Sequence, residues 1–495
     1  MASSLTRTKS IDRLLSDAAA SGEGTLKRTL GPMALVALGI GAIIGAGLFV
    51  RTAAAIAERS GPSVTVAFVV AGIGCAFAGL CYAEFASMIP IAGSAYTYSY
   101  ATMGELVAWI IGWDLVLEYA VGAATVAIAW SEYFNKVLEY VGFQIPYQWC
   151  HSPFETANGV TGIMNVPAIV ILALLSALLI RGTQESAFVN SIIVVTKVTI
   201  VLMVIAIGWG FINPANHTPY IPAPTTYTTS EGVTHPYGGV MGILGAAGVV
   251  FFAFIGFDAV STAAQEAKNP ARDMPIGILG SLVVCTVLYV LFSHVLSGIA
   301  TVEDFRTAGK EASVTFAITK YMPGYGWLAK FVTVAILAGF SSVILVMLLG
   351  QSRVFYSMSH DGLVPPVFSE VHPKFQTPYK SNMLFFVFTS LFAGFLPESI
   401  VGEMTSIGTL FAFILVCAGV WIMRHRRPDI PRGFTVPALP FVSIAGIVVC
   451  GAMIYGLGWT NWLRLGVWLV IGLVFYFSYG HKHSRLVAGT TAAVR

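Results

Sequence analysis

About twelve stretches of some 20 apolar residues follow one another along this chain, and each is long enough to cross a bilayer as a helix. They lie near 31–51, 63–89, 102–134, 165–182, 186–211, 239–264, 275–299, 327–357, 382–397, 404–424, 437–458 and 461–480. The ninth is the weakest, because Pro397 cuts it short. Hydrophobic residues make up 56% of the 495 and charged residues only 10%, against about 25% charged in soluble domains. The chain lacks the polar surface of a soluble protein, so the expectation is an all-α integral membrane protein.

The polar connections carry the orientation. With both ends on the cytoplasmic side, eighteen of the 27 Lys and Arg fall at that face, among them Arg7, Lys9, Lys268, Arg353, Arg424 and Lys482. Eight fall outside, including Arg51, Arg59, Lys136 and Arg464, and Lys197 lies within a span. Basic residues favour the cytoplasmic side, so both termini are expected there, in the cell (cytoplasmic or plasma) membrane. The first ~30 residues contain no short apolar core before a small-residue cleavage site, so no cleaved signal peptide is expected. Residues Ser10 to Ala20 suit an amphipathic helix on the membrane surface.

The longest loops, near 135–164, 212–238 and 300–326, are too short for an independent domain of ordinary size. Function is therefore expected within the membrane. A net charge of +3, with no basic run interleaved with aromatics, argues against a nucleic-acid partner. Five of the six cysteines fall in apolar segments and none forms a C-x-x-C pair, so they read as small buried hydrophobes.

Two spans cannot be continuous helices. The first reads Gly39-Ile40-Gly41-Ala42-Ile43-Ile44-Gly45-Ala46-Gly47, with four glycines in nine residues at its middle. Taken alone, Gly41-x-x-x-Gly45 also fits close helix packing. The sixth reads Phe251-Phe252-Ala253-Phe254-Ile255-Gly256-Phe257-Asp258, again broken mid-membrane and followed by an acid. Broken helices at corresponding places in two five-helix halves point to an inverted-repeat transporter with a midplane site. Free N–H groups at a half-helix start suit a carboxylate, and freed carbonyls suit an ammonium. An α-amino acid carries both groups.

Charges at membrane depth are functional candidates. Lys197 lies near the centre of the fifth span, either paired with a buried acid or exchanging a proton during transport. Glu118 and Asp258 each read as a pocket or proton-handling acid, or as a structural one. Glu84, toward the cytoplasmic end of the second span, is a gate candidate or an ordinary interfacial acid. His294 has no partner at metal-ligand spacing and reads as a packing residue. Tyr96, Tyr98 and Tyr100 fall where an interfacial aromatic belt is expected.

Several of these runs are familiar. Gly39 to Gly47, Cys81-Tyr82-Ala83-Glu84-Phe85-Ala86-Ser87 with Gly93-Ser94-Ala95-Tyr96, and Phe254 to Asp258 leading to Glu266, Asn269-Pro270 and Asp273-Met274-Pro275-Ile276-Gly277 resemble amino acid–polyamine–organocation transporters. So do Gln351-Ser352-Arg353-Val354-Phe355-Tyr356 and Asp361-Gly362-Leu363. The branch that the chain resembles most is the cationic amino acid transporter family in its bacterial form.

The resemblance covers about residues 25 to 480 and implies a LeuT-type fold: two inverted five-helix repeats with discontinuous helices one and six, plus two further helices. The division it implies is a cytoplasmic segment 1–30, repeats over 31–211 and 239–424, two last helices over 437–480 and a tail 481–495. By position, Gly45, Ala46 and Gly47 would offer N–H groups to an amino acid's carboxylate. Ile43, Phe252, Ala253 and Ile255 would offer carbonyls to its ammonium. Lys197 falls where sodium-coupled relatives hold a sodium ion, which implies proton coupling and no other cofactor.

Two departures bear on the substrate. Ala46 stands where many relatives carry Ser or Thr, so carboxylate recognition would rest on backbone N–H groups. Met347 occupies a pocket position where eukaryotic members that take cationic substrates carry a smaller residue. It would shorten the pocket in favour of small neutral amino acids such as alanine. The expectation is a proton-coupled symporter rather than an enzyme. A sodium-independent exchanger that also takes arginine or lysine, and a non-transporting amino acid receptor, are the alternatives. The partners expected are the amino acid and the bilayer, and a small membrane subunit stays open.

Overall fold

The computed structural model of the chain describes residues 7–9, 30–89, 94–157, 159–181, 187–229, 232–262, 264, 267–307, 313–375 and 377–485. Ser10 to Ala20, Gly93, Glu266 and the end of the tail lie outside the described residues.

The chain is helical almost throughout. It runs through α1 (Pro32–Ile43), α2 (47–60), α3 (Val64–Met88), a short α4 (Ser94–Thr102), α5 (Glu105–Tyr140), α6 (Val166–Arg181) and α7 (Ala187–Gly208). The second part comprises α8 (Gly239–Val250), α9 (Ala259–Thr262), α10 (Pro270–Ile299), α11 (Val302–Thr307), α12 (Ser313–Tyr321) and α13 (Gly326–His360). It closes with α14 (Tyr379–Phe395), α15 (Glu398–Arg426), α16 (Leu439–Leu457) and α17 (Trp459–Phe475). Nine helical runs among the described residues are long and apolar enough to cross a membrane, and the shorter α1 and α6 are apolar as well.

Each apolar stretch of the sequence falls on a helix because lipid offers no partner for a backbone N–H or carbonyl, and a helix satisfies these groups internally. The outward faces stay apolar: Val283 and Val287 of α10, Val448 of α16 and Val467, Val470 and Val474 of α17 are exposed. In water such surface would be a liability; against lipid tails it costs nothing. At 35 residues, α13 is about 50 Å long and exceeds a hydrocarbon core of about 30 Å, so it tilts or projects.

The centre is built from α1, α3, α8 and α10. α10 packs along both α3 and α1, α8 packs against α3 and α16, and α5 runs beside α13. On one face, the antiparallel hairpin β1 (Thr225–Thr228) and β2 (Thr234–Tyr237) pairs Thr225 with Tyr237. Arg306 of α11 stacks on Tyr227 and Tyr237 of that hairpin, at 4.5 and 4.9 Å. On the opposite face the two ends of the described chain meet. The Lys9 amide donates to the Tyr100 carbonyl, its ammonium pairs with Asp361 at 2.9 Å, and the Arg485 amide donates to the Asp361 carbonyl.

Several expectations change in detail. The first span does not stop at Arg51 but continues as α2 to Ser60. Tyr96, Tyr98 and Tyr100 are not an interfacial belt: they sit on α4 and are buried, with Tyr98 stacked on Phe85 at 5.3 Å. Arg51 and Arg59 are buried in ion pairs rather than held in a loop. All six cysteines are buried and none is in a disulfide among the described residues, and Cys150, outside the apolar segments, accepts from the Asn135 amide at 3.0 Å.

Candidate substrate site between two helix breaks

The first break is a loss of helical dihedrals over two residues. α1 ends at Ile43, and Ile44 turns extended (φ −71°, ψ 103°). Ala46 returns to helical angles (φ −55°, ψ −30°), and α2 starts at Gly47. The second break begins where α8 tightens into a 3-10 turn over Phe251–Phe254. Ile255 is extended (φ −59°, ψ 134°) and Gly256 takes φ 111°, a conformation open to glycine and strained for other residues. The broken spans foreseen from Gly45, Gly47 and Gly256 are therefore the first and the sixth.

The breaks touch. A Cβ added at Gly47 would lie 2.2 Å from the Ala253 Cα, so only hydrogen lets the two backbones approach this closely. Gly256 lies against Ala42 less tightly, with a built Cβ 2.9 Å from the Ala42 carbonyl oxygen. Tyr289 of α10 ties them together: its hydroxyl is 3.0 Å from the Ile43 carbonyl and 2.9 Å from that of Ala253, sharing its proton between them.

These contacts place the expected residues. Gly45, Ala46 and Gly47 lie at the head of α2, whose first N–H groups have no preceding helical turn to bond. Of the four expected carbonyls, those of Ile43 and Ala253 already accept from Tyr289, and that of Phe252 accepts from the Ile255 amide at 3.3 Å. Each carbonyl has two lone pairs, so an ammonium entering here would share or replace these donors.

Sequence reasoning did not single out Tyr289 or Val343. Val343 of α13 packs on Gly45, with its Cγ2 3.2 Å from a built Cβ. A tyrosine hydroxyl inside the apolar span 275–299 was the available signal for the first. A valine in an apolar span carries none.

Lys197 of α7 is 3% exposed, and its ammonium donates to the Gly41 carbonyl of α1 at 2.8 Å. It sits within one turn of the first break, and its Cε presses on Gly339 of α13. The acids lie on the other side. Asp258 is fully buried after the second break and accepts from the Tyr119 hydroxyl at 2.5 Å. Glu118, next to Tyr119 on α5 and equally buried, lies beside Asp258. The structure thus separates two charged groups around the breaks: a lysine on α1's carbonyl edge, and a carboxyl pair joining α5 to the second break.

Met347 packs on Gly122 of α5, its sulfur 3.3 Å from a built Cβ and close to Thr405 of α15. Glu84 engages α15 and the segment after it: its carboxylate pairs with Arg424 and with Arg432 (3.2 Å) and accepts from the Val436 amide (2.8 Å). His294 packs at a tilt against His217 (centroids 4.5 Å apart) and Trp209, so it has a neighbour that the sequence did not reveal. Burial and His294 together lower the pKa of His217, which lies in the loop after α7.

Beyond the first break, α2 is fastened by two ion pairs, both at 2.9 Å: the buried Arg51–Glu398 of α15 and the part-buried Arg59–Glu403. Glu403 also accepts from Asn461 at 2.8 Å and Arg464 at 3.4 Å. α15 and α17 therefore clamp the half-helix on one side of the site, and Tyr289 links both breaks on the other.

The profile of the amino acid permease family matches residues 30–474 of this chain. The branched-chain amino acid permease BcaP of Bacillus subtilis is 43% identical over 98% of the chain and its own whole length. The methylthioribose transporter of the same organism is 39% identical over 98% of the chain and 99% of its own length. The vacuolar cationic amino acid transporter 4 of Arabidopsis thaliana is 34% identical over 86% of the chain and 68% of its own length. With two touching helix breaks in a membrane-spanning helical fold and a match over nearly its whole length, the chain belongs to the amino acid permease family.

Proposed function

We propose that this permease is a proton-coupled, sodium-independent symporter of neutral amino acids, working by alternating access in the cell membrane with both termini cytoplasmic. The observation that carries the reading is the Lys197 ammonium on the Gly41 carbonyl, 2.8 Å away and within a turn of the first break. A fixed positive charge there does what a bound cation would do: it holds the unwound edge of α1 while protonated and releases it when the proton leaves. The proton is then the only coupling ion required.

Backbone groups at the two breaks support an α-amino acid as substrate, with N–H groups of residues 45–47 for the carboxylate and carbonyls near Ile43 and Phe252–Ile255 for the ammonium. Met347 wedged on Gly122 supports a short aliphatic side chain, such as that of alanine. A relative named for branched-chain amino acids extends this range to leucine and valine.

The test is uptake of labelled alanine and leucine into sodium-free proteoliposomes, with and without an inward proton gradient. Accumulation that needs the gradient, and that Lys197→Ala abolishes, is the expected result. Equal uptake in both conditions would overturn proton coupling. It would favour the second reading, an exchanger that also takes arginine or lysine, for which the buried carboxyls of Glu118 and Asp258 supply the motive.

A further inference from the structure

Asp114 lies on α5 one turn before Glu118 and is 1% exposed. Neither carboxyl oxygen has a hydrogen-bond partner among the described residues. Glu118 shares this state, since neither of its oxygens has a hydrogen-bond partner among the described residues although Asp258 lies beside it, whereas Glu84, Glu398 and Glu403 pair with an arginine and Asp258 accepts from a tyrosine hydroxyl. A lone carboxyl at membrane depth is costly to keep without a use.

The groups that face it are few. On its own helix Glu118 is within electrostatic reach, and Asp258 stands behind Glu118. From α15 it meets Gly408, where a built Cβ would lie 3.2 Å from Asp114 Oδ1. The nearby Thr405 and Thr409 spend their hydroxyls on their own helix. From α13 and α4, Met358 and Tyr96 pack on Gly112, two residues away. From α17, the Trp468 indole donates to the Trp113 carbonyl. No Lys, Arg or His forms an ion pair with Asp114 among the described residues. The next acid along α5, Glu105, is occupied by the hydroxyls of Tyr100, Tyr476 and Ser484.

Asp114 is also on the correct side of the site. α5 starts at Glu105, where the residue 7–9 segment docks, so Asp114 lies about 6 Å nearer that face than Glu118. Other buried polar groups without a partner among the described residues lie on α13 and α15: both ends of the Gln351 amide, one turn beyond Met347, and the Ser406 hydroxyl, two residues before Gly408.

We infer that Asp114 is the transfer residue through which a proton leaves the Glu118–Asp258 pair for the face where Lys9 meets Asp361. Asp114 first gives its own proton to water entering from that face. The O–H bond of the Glu118 carboxyl then breaks and a new one forms on the Asp114 carboxylate. One proton passes and no electron moves. The inference rests on the proton-coupled reading above and adds to Lys197, on the α1 side of the breaks, a second proton-carrying group on the α5 side.

The experiment compares the unaltered protein with Asp114→Asn and Asp114→Glu in sodium-free proteoliposomes. It reads exchange of labelled alanine at equal pH and accumulation under an inward proton gradient. The amide keeps shape and loses the transferable proton, so exchange should stay within about twofold. Gradient-driven accumulation should fall about tenfold or more. Asp114→Glu should restore accumulation. Unaltered accumulation in Asp114→Asn would overturn the inference, as would equal loss of exchange and accumulation in both variants, which would mark a packing role. If the unaltered protein itself shows no gradient-driven accumulation, the proton-coupled reading fails instead, and this inference fails with it.

Discussion

Gly45 and Gly47 stand two residues apart in the first break, yet a methyl group added to each meets a different neighbour. At Gly47 it would meet the Ala253 backbone at 2.2 Å, which cannot give without parting the two breaks. At Gly45 it would meet the Val343 side chain at 3.2 Å, which yields by a small shift. Gly47→Ala should therefore cut alanine exchange about a hundredfold, as a displacement of about 1 Å at a binding site does. Gly45→Ala should cost less than about tenfold, and equal losses in the two would count against the contact between the breaks. The glycine run was legible in the sequence because its composition conflicts with a continuous span. Which glycine touches the other break was not, because that depends on a residue 206 positions away that carries no signal of its own. Lys197 was legible by its depth alone, whereas its carbonyl partner at Gly41 and the hydroxyl bridge from Tyr289 required the packed helices.

At the scale of elements, α2 shows how a half-helix is kept in place. Arg51 and Glu398 are both buried, and their pair at 2.9 Å joins α2 to the start of α15. Removing one partner of such a pair leaves a buried charge uncompensated, which costs about 3–5 kcal/mol. Glu398→Ala should thus lower thermal stability sharply, and the double change Arg51→Met with Glu398→Leu should recover most of it. Failure of the double variant to recover would show that the loss comes from packing at these two positions and not from an uncompensated buried charge. The outer pair α11–α12 gives a contrasting case. Burial opposes ionisation of Asp304, but hydrogen bonds from Lys320 (2.5 Å), Thr301 (2.6 Å) and Tyr321 (2.6 Å) outweigh it and hold its pKa well below the usual carboxylate range. A depressed folded pKa means that the stability from Asp304 is fully present above the unfolded value and is lost only as pH falls through the folded one. Between pH 8 and about pH 5 it contributes no slope. Asp304→Asn should lower the melting temperature while leaving acid stimulation of uptake intact; loss of that stimulation would place a coupling group outside the membrane. The Arg51–Glu398 pairing could not be read from spacing, because the two residues are 347 positions apart.

At the scale of the whole molecule, both ends of the described chain converge on one face, where residues 7–9 dock on α4 and α5 and residue 485 docks on Asp361. The twelve apolar runs of the sequence, an even number, fit this meeting of the two ends on one side, and the excess of Lys and Arg supports the proposal that this side is the cytoplasm. The crossings themselves were legible as apolar runs, since lipid leaves the backbone no alternative to a helix. Their order around the centre was not, since helices in lipid associate by shape and small residues, with no hydrophobic pattern to mark the inner face. Orientation is therefore the property of the whole chain that most needs a direct reading, and the cysteines make one accessible. All six are buried, so a thiol reagent should meet little background. Thr226 in the exposed strand β1 and Asp429 in the exposed turn after α15 lie on opposite faces of the twelve crossings. In intact cells, an impermeant maleimide should label Thr226→Cys at once and Asp429→Cys only after the membrane is opened. The reverse order would invert the molecule. It would turn the Asp114 path outward without reversing transport, because in a proton symporter the direction of the gradient, not the side on which the Glu118–Asp258 pair discharges, sets the direction in which substrate accumulates.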